Sequence, residues 1–369
     1  MQKLKLGMVG GGQGAFIGAV HRIAARIDGQ WDLVAGALSS DPARAMASAA
    51  ELGLDPARSY GSFTEMAVAE AAHPDGIDAV AIVTPNHMHA PAAIAFLEAG
   101  IHVICDKPLA ATMEQAEAIA AAAAASGREF ILTHNYSAYP LIRQAREMVA
   151  AGELGEIRLV HVEYVQDWLV EDTGGKQAEW RTDPARSGAG GCIGDIGTHA
   201  HNLAGFVSGL EVAELSADLH AFVPGRQVDD NVHVMLRYKG GAKGMLWASQ
   251  VAVGNGNALR LRVHGTKAGL SWAQEEPEKM TFTRFGGPAQ ILTRGGPGAT
   301  PAGLAHLRTP GGHPEGYLEA FATLYAEAAT LIRGGTAEAL PGIGEGLEGM
   351  RFIAACLRSS AENAAWVAP

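Results

Sequence analysis

The chain opens on a short apolar run, residues 4–9, which breaks into Gly10-Gly11-Gly12-Gln13-Gly14 and resumes as an amphipathic stretch over residues 19–27. An unbroken apolar run of this length predicts a strand buried on both faces, and the periodic stretch predicts a helix behind it. The alternation then repeats. Residues 31–38 read as a strand, followed by Ser39-Ser40-Asp41-Pro42 and a helix to about residue 52, with Asp41 as cap and Pro42 at the first helical position. Residues 78–83 are the next strand, ending in Thr84-Pro85-Asn86, with a helix to about residue 98. Residues 102–105 run into Asp106-Lys107-Pro108, the alanine-rich residues 112–126 predict a helix stopped by Gly127, and residues 129–133 close the series. Strands alternating with helices at this length predict a doubly wound parallel sheet.

From Tyr136 the pattern changes. A helix over about residues 139–151 is followed by period-two alternation over residues 157–165, 214–222, 231–238, 243–251 and 258–263. Turns such as Lys239-Gly240-Gly241 and His264-Gly265-Thr266-Lys267 separate these runs. Successive strands without helices between them predict a mostly antiparallel sheet. Two amphipathic helices, about residues 315–333 and 344–363, close the chain, and the Gly- and Pro-rich residues 295–312 predict a mobile loop. The expected fold class is α/β, with a parallel-sheet domain over residues 1–135 and an α+β domain carrying a large, mostly antiparallel open sheet over residues 136–369.

Composition narrows the picture by exclusion. A chain of 369 residues, 48% hydrophobic and 18% charged, has the ordinary globular balance and the length of two domains. Its formal charge of −11 argues against a nucleic-acid partner, which would call for a basic face. Cys105, Cys192 and Cys356 are far apart and form no C-x-x-C pair, so neither a disulfide framework nor a structural zinc site is expected. The N-terminus runs straight into a strand pattern without an apolar leader region, and no run reaches eighteen apolar residues. The expectation is a cytoplasmic protein without membrane contact.

Candidate chemistry gathers at strand ends. Gly10 suits a tight turn after the first strand, and Gly12 a close approach to a pyrophosphate at the helix N-terminus. Ligands of doubly wound sheets bind beyond the carboxyl ends of the strands, where Ser39-Ser40, Thr84-Pro85-Asn86 and Asp106-Lys107-Pro108 fall. Lys107, at the end of a buried strand, is expected to be partly desolvated, which would lower its pKa and suit it to proton transfer or to stabilising an alkoxide. In the second half, glycines crowd Gly190-Gly191-Cys192-Ile193-Gly194-Asp195-Ile196-Gly197-Thr198-His199. A helix starting near Cys192 would set Asp195 and His199 at i and i+4 on one face, an acid–base pair. His201 lies about 200° round from His199, so the two make no metal pair, and no metal is expected.

Together these residues resemble the Gfo/Idh/MocA family of NAD(P)-dependent sugar and polyol oxidoreductases. The matches are Gly10-x-Gly12 with His21 downstream, Thr84-Pro85-Asn86-x-x-His89, Asp106-Lys107-Pro108 in place of the usual Glu-Lys-Pro, Asn135-Tyr136, and Gly190-Gly191 leading to Asp195-x-Gly197-x-His199. The resemblance implies a Rossmann domain, a second domain whose open sheet forms an oligomer interface, and a substrate held between that sheet and the nicotinamide. It implies Lys107, Asp195 and His199 as the catalytic group. His199 would accept the hydroxyl proton, Lys107 would hydrogen-bond the same oxygen, and Asp195 would hold a neighbouring hydroxyl. Cofactor contacts are expected from Gly10, Gly12, Gln13, Phe16, Ile17, Ser39, Ser40, Arg44, Thr84, Pro85, Asn86, His89, Asp106 and Lys107.

The sequence also departs from the pattern. Ser39 stands where members often carry an acid that grips the adenosine ribose, and Ser39, Ser40 and Arg44 could meet a 2′-phosphate. The cofactor is therefore NAD or NADP, with a slight lean to NADP. The lengthened turn Gln13-Gly14-Ala15-Phe16 could cover the pyrophosphate in its own way. For the substrate, Trp180, Arg181 and Asp183 suit a sugar, the ring stacking on C–H groups and the charges pairing with hydroxyls. Tyr136, Tyr164 and His201 are further candidates. The expected reaction is hydride transfer from a secondary alcohol of a sugar, sugar derivative or cyclitol, in a homo-dimer or homo-tetramer built through the second sheet. The alternatives are a glycosidase using bound NAD for transient oxidation and elimination, and a non-catalytic dinucleotide-binding sensor.

Overall fold

The structure, a computed structural model, describes residues 2–171 and 174–369. The chain folds into two compact units, one of residues up to Thr133 with Phe321–Leu347, the other of His134–Ala320 with Glu348–Pro369.

The first unit is built on β1 (Leu4–Gly10), β2 (Trp31–Ala37), β3 (Ala79–Val83), β4 (His102–Cys105) and β5 (Phe130–Leu132). They form one parallel sheet in the order β2-β1-β3-β4-β5. The chain leaves β1 toward β2 and returns to the other side for β3, so the topological switch point lies where Gly10 pairs with Val83. Strand ends and helix caps follow local chemistry. Asp41 Oδ1 accepts from the Arg44 N–H (2.7 Å) to start helix Pro42–Glu51, Thr112 caps Met113–Ser126, and Gly127 stops that helix with a φ of 63°. The returning segment docks on the same unit, where Trp31 Nε1 donates to the Tyr325 carbonyl (2.9 Å) and the Leu132 N–H to that of Pro341 (2.9 Å).

One helix of this unit, Phe63–Ala72, has no counterpart in the sequence reading. Its inward face carries Glu70, fully buried, which reads as a surface residue in one dimension. The carboxylate is held by the Arg58 guanidinium, by the Tyr60 hydroxyl (2.8 Å) and by the Ile77 N–H (3.2 Å). Burying a carboxylate is tolerable only with such partners.

The second unit holds an eight-stranded sheet. Its strands are β6 (Ile157–Val165), β7 (Val212–His220), β8 (Asn231–Tyr238), β9 (Lys243–Ser249), β10 (Ala258–Gly265), β11 (Ala268–Ala273), β12 (Lys279–Arg284) and β13 (Ala289–Thr293). Their order is β13-β12-β11-β10-β6-β9-β8-β7, with every neighbour antiparallel except β6 and β9. The expected α/β class, parallel sheet first and mostly antiparallel sheet second, is borne out. Alternate residues point to a core: Val160, Val162 and Tyr164 on β6, Leu246 and Ala248 on β9, Leu259, Leu261 and Val263 on β10, all buried. Helix Thr198–Ser208 is buried along Ala200, Leu203, Ala204 and Val207.

Three strands, β11 to β13, extend the sheet beyond the sequence reading, which ended at residue 263. Each is five or six residues long, so the alternation of Leu270 with Trp272 and of Met280 with Phe282 is the whole signal. The expected mobile loop over residues 295–312 is laced to Arg294, whose buried guanidinium donates to the carbonyls of Thr309, Pro310 and His313 and pairs with Glu278 and Glu315.

Candidate active site

The glycine turn of the first unit is shaped by contacts that leave no room for side chains. Gly10 and Gly11 adopt φ of 78° and 71°. A Cβ on Gly10 would lie 2.8 Å from the Val83 carbonyl oxygen, and one on Gly18 would lie 2.4 Å from the Gly11 Cα. Gly18, not Gly12, lets the helix settle on the turn. A Cβ on Gly12 would meet the Leu38 carbonyl at 2.6 Å and Ser48 Oγ at 2.7 Å, so Gly12 is pressed against the exit of β2. The Gln13 N–H donates to Ser48 Oγ (3.1 Å), while Phe16 is exposed at the start of helix Phe16–Ile27 with Ile17 beside it. That twelve-residue helix has neither a side-chain cap nor an acid in its first turn. Its first N–H groups and the positive end of its dipole fit an anion such as a dinucleotide pyrophosphate.

Beside the turn, Thr84 Oγ1 is buried at the end of β3 without a hydrogen-bond partner among the described residues. A buried hydroxyl in that state, at a switch point, fits a ligand that completes it. Asn86 is buried next to it after Pro85. Ser39 lies after β2 and accepts from the Asp41 N–H (3.1 Å), with Ser40 and Arg44 exposed on either side of that cap. His89 is fully buried, Nδ1 at 2.9 Å from the Pro108 carbonyl and Nε2 at 3.0 Å from that of Thr84. It is a strut between the loops after β3 and β4. The second of these loops carries Asp106 and the half-buried Lys107, joined to Pro108 by a cis peptide.

In the second unit, the Gly190–Asn202 stretch forms one π-helical turn, Ile193–Gly197, running into helix Thr198–Ser208. Wide turns of this kind re-aim side chains at functional sites. Asp195 projects from the turn and His199 from the first helical turn. Gln250 Nε2 (2.9 Å) and Arg181 Nε (3.1 Å) both donate to Asp195 Oδ2. The Arg181 guanidinium lies 4.2 Å from the Trp180 ring centroid and 5.9 Å from that of Trp168. His199 is buried in an aromatic box, its ring centroid 4.8 Å from Tyr136, 5.6 Å from His134 and 6.1 Å from Tyr164.

The remaining candidates separate in space. Tyr136 and Tyr164 are buried with their hydroxyls 2.6 Å apart, and Tyr164 donates to Asn257 Oδ1 (2.8 Å). Burial pushes both phenols above their ordinary value, so they stay neutral walls of the His199 box. Asp183 caps the short helix Pro184–Ser187 through the Ala185 N–H (2.9 Å). His201 faces away, stacked on Phe352 (4.1 Å between centroids) with Nε2 3.4 Å from Glu348 Oε1.

Sequence reasoning missed two residues that build this arrangement. Gln250, at the exit of β9, orients Asp195 from 55 positions away. Asp229 is buried at the start of the π-helical turn, where its carboxylate accepts from the Gly191 N–H (2.6 Å), the Ile193 N–H (2.8 Å) and the Cys192 thiol (3.0 Å). The Asp229-Asp230 pair precedes a strand and carries no local signal of this role. A Cβ on Gly191 would sit 2.0 Å from the Asp229 carbonyl oxygen, which is the reason for glycine there.

Comparison with known proteins agrees with both halves. Residues 4–134 match the NAD-binding Rossmann fold of an oxidoreductase family, and residues 142–271 match the GFO/IDH/MocA C-terminal domain. The chain belongs to the GFO/IDH/MocA oxidoreductases. Among solved members, an oxidoreductase from Sinorhizobium meliloti is 54% identical, with a TM-score of 0.92 and all of both chains covered. An inositol dehydrogenase homolog from Azotobacter vinelandii, solved with NADH and myo-inositol, is 36% identical with a TM-score of 0.94, covering 100% of this chain and 98% of that one. A levoglucosan dehydrogenase from Pseudarthrobacter phenanthrenivorans is 30% identical over 310 residues, 76% of each chain. Relatives of this chain include sugar and polyol dehydrogenases. Among the described residues no helix is long and apolar enough to cross a membrane.

Proposed function

We propose that this GFO/IDH/MocA member transfers a hydride between a secondary alcohol of a sugar, sugar derivative or cyclitol and a nicotinamide cofactor. The observation that carries the reading is the oriented Asp195 carboxylate one turn from a boxed His199, on a chain related throughout its length to an inositol dehydrogenase homolog. The glycine turn, the helix N-terminus at Phe16 and Thr84 would hold the dinucleotide, which supplies the hydride acceptor when bound. Ser39 and Ser40 put no carboxylate at the ribose position, which supports use of NADP as well as NAD.

We assign His199 to accept the hydroxyl proton on its imidazole, the side chain that most often serves as a general base. Lys107 Nζ donates to the alcohol oxygen as negative charge develops there. Asp195 accepts a hydrogen bond from a neighbouring hydroxyl, which fixes the carbon presented for oxidation. A homo-dimer or homo-tetramer through the outer face of the eight-stranded sheet is part of the proposal, supported by exposed Leu159, Met235 and Met245 on that face. Three buried, unpaired cysteines support a reducing, cytoplasmic setting.

The test is absorbance at 340 nm across a panel of sugars and inositols, with NAD and NADP in parallel. Reduction with at least one substrate, lost in Lys107→Met and His199→Asn while dinucleotide affinity is kept, is the expected outcome. Aglycone release from a glycoside without net reduction would establish the elimination chemistry instead. Light scattering that finds a monomer at micromolar concentration would overturn the oligomer.

A further inference from the structure

Asp106, the residue before Lys107, is the hub of a buried network drawn from four separate stretches of the first unit. His21 Nε2 lies 3.1 Å from Asp106 Oδ1, and the Thr133 hydroxyl donates to the same oxygen at 2.7 Å. The other ring nitrogen of His21, Nδ1, lies 2.8 Å from the Tyr325 hydroxyl. His21 is wholly buried, with the Phe321 ring at 5.0 Å and the Tyr325 ring at 5.8 Å, and Tyr325 is tied down in turn by Trp31 through its carbonyl. Main-chain bonds complete the frame, from the Asp106 N–H to the Ile82 carbonyl (3.0 Å) and from the Thr133 N–H to that of Cys105 (2.9 Å).

The order of donors follows from chemistry. A carboxylate only accepts, so a proton sits on His21 Nε2, while Nδ1 and the Tyr325 hydroxyl share the second hydrogen bond. Burial pushes the Asp106 carboxyl up, but His21, Thr133 and His89 outweigh it and leave the group below its ordinary value, hence ionised. Burial pushes the Tyr325 phenol up, so it stays protonated. The side-chain bonds of Tyr325, His21, Asp106 and Thr133 form one connected chain through Asp106 Oδ1.

We propose that His21, Tyr325 and Thr133 are positioning residues, which act through Asp106 to fix the orientation of Lys107 and to join it to the helix that starts at the glycine turn. This rests on the reading of Lys107 as a proton-handling group. His21 stands five residues into helix Phe16–Ile27, whose N-terminus fits the pyrophosphate, so one rigid element carries both the anion site and the support of the lysine. Misplacing a reacting group by about 1 Å costs on the order of a hundredfold in rate, which makes such a support worth its buried polar atoms.

The experiment follows Lys107 directly. Protein labelled with 13C-lysine is titrated by NMR without cofactor or substrate, the Lys107 signal being assigned by its loss in Lys107→Arg. His21→Leu is expected to shift both the signal and its titration midpoint, and to lower kcat on the order of tenfold with the KM for the dinucleotide within about twofold. His21→Gln, whose amide reaches toward Asp106, is expected to restore most of both. Tyr325→Phe removes a single oxygen and is expected to fall between them. A wild-type Lys107 titration in folded His21→Leu, or a His21→Gln no better than His21→Leu, overturns the proposal. If His21→Leu does not fold, a wild-type Lys107 signal and titration in Tyr325→Phe does the same. Full turnover by Lys107→Met would remove the catalytic role of the lysine and leave the NMR result standing, so the two failures are distinct.

Discussion

Arg181 Nε lies 3.1 Å from Asp195 Oδ2, with its guanidinium 4.2 Å over the Trp180 ring. Lysine keeps the charge but neither the planar fork nor the stack. Arg181→Lys is therefore expected to raise KM for the polyol about tenfold, roughly 1.4 kcal/mol of lost orientation, with the KM for the dinucleotide unchanged. Steady-state kinetics with each substrate varied in turn would decide it, and equal polyol KM values would show that Asp195 is oriented without Arg181.

Gly18 is the tightest contact of the glycine turn. A methyl group there would lie 2.4 Å from the Gly11 Cα and 2.5 Å from its carbonyl oxygen, and backbone cannot give way cheaply. Gly18→Ala is expected to cost about 1–3 kcal/mol of stability. Dinucleotide affinity should fall with it, because the helix N-terminus moves off the turn. Gly14, which has open space around its Cα, is the internal control: its substitution is strained only by its φ of 74°. Urea unfolding and fluorescence titration with NADH measure the two effects.

Asp229 accepts two main-chain N–H groups and a thiol in a buried site, although burial itself pushes its carboxyl above the ordinary value. Asp229→Ala leaves those donors unsatisfied at about 1–3 kcal/mol each for the two amides. The expected loss is about 2–6 kcal/mol in urea unfolding, with Asp229→Asn losing less because its carbonyl still accepts. A variant as stable as the parent would mean that the π-helical turn needs no anchor at this end.

His89 makes stability depend on pH. Burial pushes its pKa below the ordinary 6.5; Asp106 and the carbonyls of Pro108 and Thr84 offset this only in part. The unfolded imidazole binds a proton below about pH 6.5, while the folded one does so only at lower pH. Its contribution is therefore fully present above that pH and lost as pH falls toward the folded pKa, by at most about 1.4 kcal/mol per pH unit. His89→Gln should be less stable than the parent at pH 8 and show a flatter decline between pH 6.5 and 5. Parallel curves would remove His89 as the source.

The βα series was legible residue by residue because its signals are local. Short apolar runs bounded by turn residues form the strands of the first unit, and Asp41-Pro42 or Gly127 start and stop a helix with atoms a turn away. Helical geometry also sufficed to put His201 on a different face from His199, where it is stacked on Phe352. Helix Phe63–Ala72 and the short strands β11 to β13 escaped for the converse reason, the first hiding a charged residue inside and the others being only five or six residues long.

By itself, then, the sequence determined the order of elements, the glycine turn and the spacing of Asp195 and His199, since each depends on neighbours within one or two turns. Tertiary structure alone decided what those residues touch. Arg181 and Gln250 reach Asp195 across 14 and 55 positions, and Tyr325 reaches His21 across 304. Such partners are chosen by sheet register and helix packing, and a buried polar atom is indifferent to where in the chain its partner comes from so long as the hydrogen bond is made.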